Sequence, residues 1–107
     1  MTDQFDRTRL LIGEEGLAKL KKARVAVFGV GGVGGFAVEA LVRSGIGAFD
    51  LIDNDTVALS NLNRQIIATR DTIGKLKVEV MRDRILSINP QAEIRMYPCF
   101  YLPENAA

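Results

Sequence analysis

The sequence predicts an α/β fold, with a parallel sheet of three strands in spatial order 3-2-1 preceded by short N-terminal helices. Three observations predict it. Arg24 to Gly29 (RVAVFG) is a short apolar run halted by glycines, the pattern of a strand buried in a parallel sheet. Half of the ten glycines follow at once, at Gly29, Gly31, Gly32, Gly34 and Gly35, and Val33, Phe36, Ala37, Ala40 and Leu41 then recur at helical spacing. Ala48 to Ile52 is a second apolar run of strand length, so strand, glycine turn, helix and strand follow one another as one parallel unit.

The remaining elements follow in order. Leu10, Leu11, Ile12, Leu17 and Leu20 punctuate a basic stretch ending at Lys21 and Lys22, which suits one or two short amphipathic helices before the first strand. The helix after the glycines ends at Ser44-Gly45-Ile46-Gly47. From Asn54 to Ile73 no period persists, and the stretch reads as loop or single turns carrying Ser60, Asn61, Asn63, Arg64, Gln65 and Arg70. A long polar loop inside a small domain is usually functional. Val78, Met81, Ile85 and Ile88 mark one face of a helix from about Lys75, stopped by Asn89-Pro90, and Ala92, Ile94 and Met96 alternate as a third strand. Right-handed crossovers then leave strand one at an open edge, which natural sheets normally cover. A doubly wound fold would place a fourth strand there. Residues 1–107 therefore read as a single domain, the Rossmann-like first half of a doubly wound sheet and the N-terminal part of a longer nucleotide-binding domain.

Composition narrows the classes. The 107 residues are 48% apolar and 25% charged with three prolines, which excludes disorder and a second complete domain. Fourteen basic against thirteen acidic side chains leave +1, so bulk charge draws no polyanion. A single cysteine, Cys99, and no histidine exclude a disulfide framework and the usual zinc spacings, so no metal ligand set is expected from the protein and Cys99 reads as a small buried hydrophobe. No apolar run approaches the roughly 18–20 residues that span a bilayer, so neither a membrane span nor a membrane partner is expected, and a cytoplasmic location is.

The chemistry is carried by Gly29-Val30-Gly31-Gly32-Val33-Gly34, a G-x-G-x-x-G set between strand and helix. In that context the first glycine permits the tight turn, the second lets backbone approach phosphate, and the third lets helix pack on strand. Phosphate would sit on the free N–H groups of the helix. Asp53, nineteen residues after Gly34, is placed to accept from ribose hydroxyls, and Asp55 is the better candidate for capping or loop solvation. By the generic rule this would be an NAD-dependent oxidoreductase. Ser60, Asn61, Asn63, Arg64 and Lys77 point elsewhere, because a triphosphate with a departing pyrophosphate needs a guanidinium fork and an ammonium that a dinucleotide does not.

RVAVFGVGGVGG, LIDNDTVALSNLNRQ, the G-K-x-K-x-E of Gly74 to Glu79 and INP at Ile88 to Pro90 resemble, in order and spacing, the ThiF/MoeB/HesA superfamily, bacterial relatives of ubiquitin-activating enzymes. The opening FDRTRLLIG, GEEGL and the ending CFYLPENA are most similar to its branch of tRNA threonylcarbamoyladenosine dehydratases. The resemblance implies an adenylating enzyme using ATP and magnesium. It implies that Asp53 holds the ribose, that Asn61, Arg64 and Lys77 contact phosphates, and that Arg7 reaches the phosphates of the neighbouring subunit of a homodimer. The implied reaction is adenylylation of a carboxylate, either the threonyl carboxylate of the modified tRNA, leading to cyclic dehydration, or the C-terminal glycine of a ubiquitin-like sulfur carrier. The superfamily's later aspartate, which helps organise ATP and magnesium, has no counterpart in these residues, so an inert nucleotide-binding fragment is a further alternative.

Overall fold

A computed structural model describes residues 4–99. Its elements are α1 (Asp6–Lys22), β1 (Arg24–Phe28), α2 (Gly32–Ser44), β2 (Ala48–Ile52), a single 3-10 turn at Leu59–Asn61, α3 (Lys77–Ile88) and β3 (Glu93–Tyr97). The strands pair in parallel in the order β1-β2-β3, with Arg24 opposite Ala48 and Ala48 opposite Glu93. That is the expected order, read from its other end.

The sheet has two unlike faces. Phe49 and Leu51 are fully buried and cluster with Val38 and Val42 of α2 and with Val78, Met81 and Ile85 of α3. Strand alternation turns Arg24, Asp50 and Glu93 the other way, where the Arg24 guanidinium bridges Asp50 at 2.6 Å and Glu93 at 3.0 Å across all three strands. Among the described residues β1 pairs only with β2, and its outward residues Arg24, Ala26 and Phe28 are exposed. The expected buried strand is thus half-exposed, because only Val25 and Val27 face the core while the alternate side chains lie on the other face of the sheet.

α2 and α3 are clasped across their polar sides. Arg84 Nε donates to Glu39 Oε1 at 2.5 Å and Nη2 donates to Oε2 at 3.1 Å, while Arg43 adds an i,i+4 contact to the same carboxylate at 2.8 Å. Hydrogen bonding from Arg84 holds the Glu39 carboxyl below the usual glutamate range against the opposing effect of burial.

The expected short N-terminal helices are the two segments of α1, which kinks at Gly13; its φ of +78° lies in a region that glycine tolerates and other residues avoid. Leu17 is its buried anchor, whereas Leu10 and Leu11 are 86% exposed, so the first half of α1 is not packed on its own core. The third helix begins at Lys77 rather than Lys75. Leu76 is still extended, bridged to Thr56, and the Lys77 N–H donates to the Asp55 carbonyl at 3.0 Å. Cys99 is half-buried rather than a core filler. No helix among the described residues is long and apolar enough to cross a membrane.

Candidate functional site: a glycine turn, a buried lysine and a polar loop

The site is built where β1 and β2 end. Gly29 takes φ +85° and its N–H donates to the Ile52 carbonyl at 2.7 Å, so the chain hooks over the end of β2 before turning into α2. A Cβ at Gly34 would lie 1.8 Å from the Gly29 carbonyl oxygen, so only glycine lets the helix start this close to the strand. α2 opens on Gly31 with no side-chain cap. Its first N–H groups have no intrahelical acceptor and, with the helix dipole, form an end suited to an anion.

Asp53 braces this turn. Its Oδ2 accepts from the Val30 N–H at 3.0 Å and its Oδ1 from the Asp55 N–H at 2.9 Å. Each carboxylate oxygen keeps a second lone pair, so a bracing role and a ligand role fit one side chain. Asp55 does not cap α3 with its side chain, which lies mostly in solvent; its backbone carbonyl does the holding.

The loop supplies the rest. Asn61 is buried and closes the 3-10 turn: its Oδ1 accepts from the Ala58 N–H at 2.8 Å, and its carbonyl accepts from the N–H groups of Arg64 and Gln65. Ser60 and Arg64 are exposed, and Arg64 Nη1 folds back on the Ser60 carbonyl at 2.9 Å and on Asn63 Oδ1 at 3.0 Å. Lys77 is the first residue of α3 and is only 7% exposed. Among the described residues its single carboxylate within reach is Asp55, at 3.9 Å, well outside the roughly 2.7–2.9 Å of a charge-assisted hydrogen bond. A lysine with its stem buried and its ammonium so loosely matched is suited to receive an anion.

Gln65 is the residue that sequence reasoning missed as a site group. A Cβ on Gly31 would fall 2.4 Å from Gln65 Oε1, so this carboxamide lies directly on the glycine turn and ties the loop to it. The glycine turn, Asp53, Asp55, Lys77 and the Asn61–Gln65 loop therefore share one end of the sheet. Arg7 is elsewhere. It is exposed on the first turn of α1, where neighbouring Gln4 donates to the carbonyl of Ile88 at the far end of α3. A cavity of about 280 Å³ lined by Thr72, Lys75, Asp83 and Arg84 lies along α3 and involves none of the glycine turn.

The description "ThiF family" matches residues 5–107. The chain belongs to the ThiF family. The tRNA threonylcarbamoyladenosine dehydratase of Bacillus subtilis is 51% identical over 98% of this chain, and that of Escherichia coli 47% identical over 97%. A sulfur carrier protein adenylyltransferase of Thermus thermophilus is 36% identical over 97%. The chain spans about two fifths of these ThiF-family relatives, 41%, 39% and 39% of their lengths. The crystal structure of the E. coli dehydratase in complex with ATP superposes with a TM-score of 0.90 at 47% identity, covering 95% of this chain and 42% of that one. The three-stranded Rossmann-like arrangement is thus that of solved members of the family.

Proposed function

We propose that these residues form the ATP-binding part of a longer adenylating-enzyme domain that activates a carboxylate as its acyl-adenylate. The observation that carries the reading is Lys77, whose side chain is 9% exposed and whose one carboxylate neighbour among the described residues is 3.9 Å away. The E. coli dehydratase is crystallised with ATP and with AMP, which supports a nucleotide as the missing anion. The N–H groups of the glycine turn would cradle phosphate, Asp53 would take the ribose, and Asn61 would offer its amide. Arg64 would swing from its own loop to the phosphates. A substrate carboxylate oxygen would bond to the α-phosphorus as the bond to the bridging oxygen breaks and pyrophosphate leaves. Lys77, Arg64 and the helix end would meet the charge that develops without reorganising water. Magnesium would be held by the phosphates together with the later aspartate that the resemblance implies outside these residues.

The identities favour the dehydratases over the sulfur-carrier enzymes, 51% and 47% against 36%. The substrate would then be the threonyl carboxylate of threonylcarbamoyladenosine in tRNA, whose activated carbonyl closes on the same side chain with release of AMP. Exposed Leu10 and Leu11 beside Arg7 support a homodimer in which Arg7 serves the other protomer's phosphates, and a cytoplasmic location is proposed with it. The test is exchange of labelled pyrophosphate into ATP. Exchange should depend on threonylcarbamoyladenosine-bearing tRNA, and Arg64→Ala should abolish it while leaving stability within about 0.5 kcal/mol, since the side chain is exposed. Dependence on a ubiquitin-like carrier would select the second substrate, and tight NAD binding without ATP binding would overturn adenylylation.

A further inference from the structure

Gln65 is the one described side chain outside α1 with a buried polar atom left unpartnered: among the described residues its Oε1 has no hydrogen-bond partner. Burying an amide group without a partner is unfavourable, and folded proteins rarely keep one without a use. Its position supplies the use. The carboxamide lies over Gly31, the residue that caps α2, so closely that a methyl group there would collide with Oε1 at 2.4 Å and with the amide carbon at 2.8 Å. Gly31 itself has φ −87°, which any residue adopts, so what a side chain here would displace is the Gln65 amide and not the backbone.

Resting on the nucleotide reading above, we infer that Gln65 is a further binding residue of the glycine turn, whose carboxamide is held against Gly31 to hydrogen-bond the phosphate seated there. The groups already at this end, the α2 N–H groups and the Lys77 ammonium, are donors that an anion would satisfy. A glutamine can join them because its oxygen and nitrogen exchange places by a half-turn about a soft terminal torsion. With an anion bound, Nε2 donates to a phosphate oxygen and Oε1 rotates away from the turn. Gly31 is small so that this amide can reach the phosphate, and the loop carrying Arg64 is thereby docked on the turn through the next residue in the chain.

Calorimetric titration of the protein with ATP and with adenosine, beside thermal melts without ligand, tests this on Gln65→Met and Gln65→Glu. Gln65→Met keeps the shape and removes both polar atoms. It should melt at or above the wild-type temperature, bind ATP about tenfold or more weakly, and bind adenosine unchanged, because a hydrogen bond to a charged group is lost and a buried orphan is removed. Gln65→Glu should lose more of the ATP affinity, since a carboxylate would face the phosphate. A residue that only packs would give the opposite pattern, a lower melting temperature with ATP affinity intact. That result, or ATP binding by Gln65→Glu equal to wild type, overturns the assignment. If Gln65→Glu does not fold, Gln65→Met decides alone. Failure of the wild-type protein to bind ATP overturns the nucleotide reading instead.

Discussion

Two of the three cations on α3 stand in opposite circumstances. Arg84 is 37% exposed in its side chain, yet it has a two-pronged partner in Glu39, at 2.5 and 3.1 Å. Lys77, at the first residue of the same helix, is 9% exposed in its side chain and has only Asp55 at 3.9 Å, itself mostly in solvent. Electrostatics alone would assign the better partner to the more buried charge, because desolvation makes an unmatched cation costly. The inversion separates a contact completed within the chain from one completed by something else. Arg84 joins two helices; Lys77 stands at the end of the sheet where the glycine turn opens.

The largest effect should come from Gly34→Ala, which removes the ground on which both clusters stand. The new Cβ would meet the Gly29 carbonyl at 1.8 Å, and relief requires α2 to leave the end of β1. α2 carries Glu39, so the Arg84 clasp and the anion-binding end would be disturbed together. We expect a loss of more than about 4 kcal/mol, in the range where single substitutions are exceptional. Chemical denaturation measures it, and a cost under about 1 kcal/mol would mean that the turn is not as tight as described.

Lys77→Met should split the two properties that Gly34→Ala destroys jointly. Replacing a lysine whose stem is buried and whose ammonium is loosely paired with an apolar chain of similar length should leave stability unchanged or slightly raised. ATP affinity should fall at least about tenfold, the equivalent of losing one charge-assisted contact. Melting and titration of the same sample give both numbers. A destabilised variant that still binds ATP would make the Lys77–Asp55 pair structural and erase the contrast with Arg84.

What the sequence revealed and what it hid follow the range over which each signal acts. β2 was legible to the residue and β1 to within one, because apolar runs bounded by glycine and by acidic residues are local patterns. The start of α3 was two residues off, since the extended Leu76 is set by its bridge to Thr56 and not by its neighbours in sequence. Leu10 and Leu11 carry helical periodicity, but periodicity marks an apolar face without saying whether this chain covers it. In the site, Gly29, Gly34 and Asp53 stood out through spacing, and Lys77 through its charge and the family resemblance. Gln65 did not, because its contact to Gly31 joins residues far apart in the chain. A clue was present nonetheless: a cluster with more glycines than the turn's dihedral angles need implies that something packs closely on the surplus one. The Glu39–Arg84 clasp, separated by 45 residues, left no such trace.

The smallest expected effect isolates the completed pair. Glu39→Gln keeps the shape of the side chain and removes its charge, and should cost about 1–2 kcal/mol. The figure is held below that of a fully buried pair because the Arg84 side chain is 37% exposed and partly screened by water. ATP affinity should not change, since the clasp lies on the helix faces and touches nothing at the glycine turn. The pH dependence gives an independent check. The Glu39 carboxyl is lowered in the folded protein, chiefly by its hydrogen bond from Arg84, so the unfolded chain binds its proton more readily. Its contribution is therefore fully present above the unfolded value of about 4.3 and is lost as pH falls through the lower folded value. Wild type and Glu39→Gln should differ in stability at pH 7 and converge as the pH falls below about 4. A gap that persists unchanged to the lowest pH at which both fold would show that packing, and not the ionised carboxylate, is what Arg84 clasps.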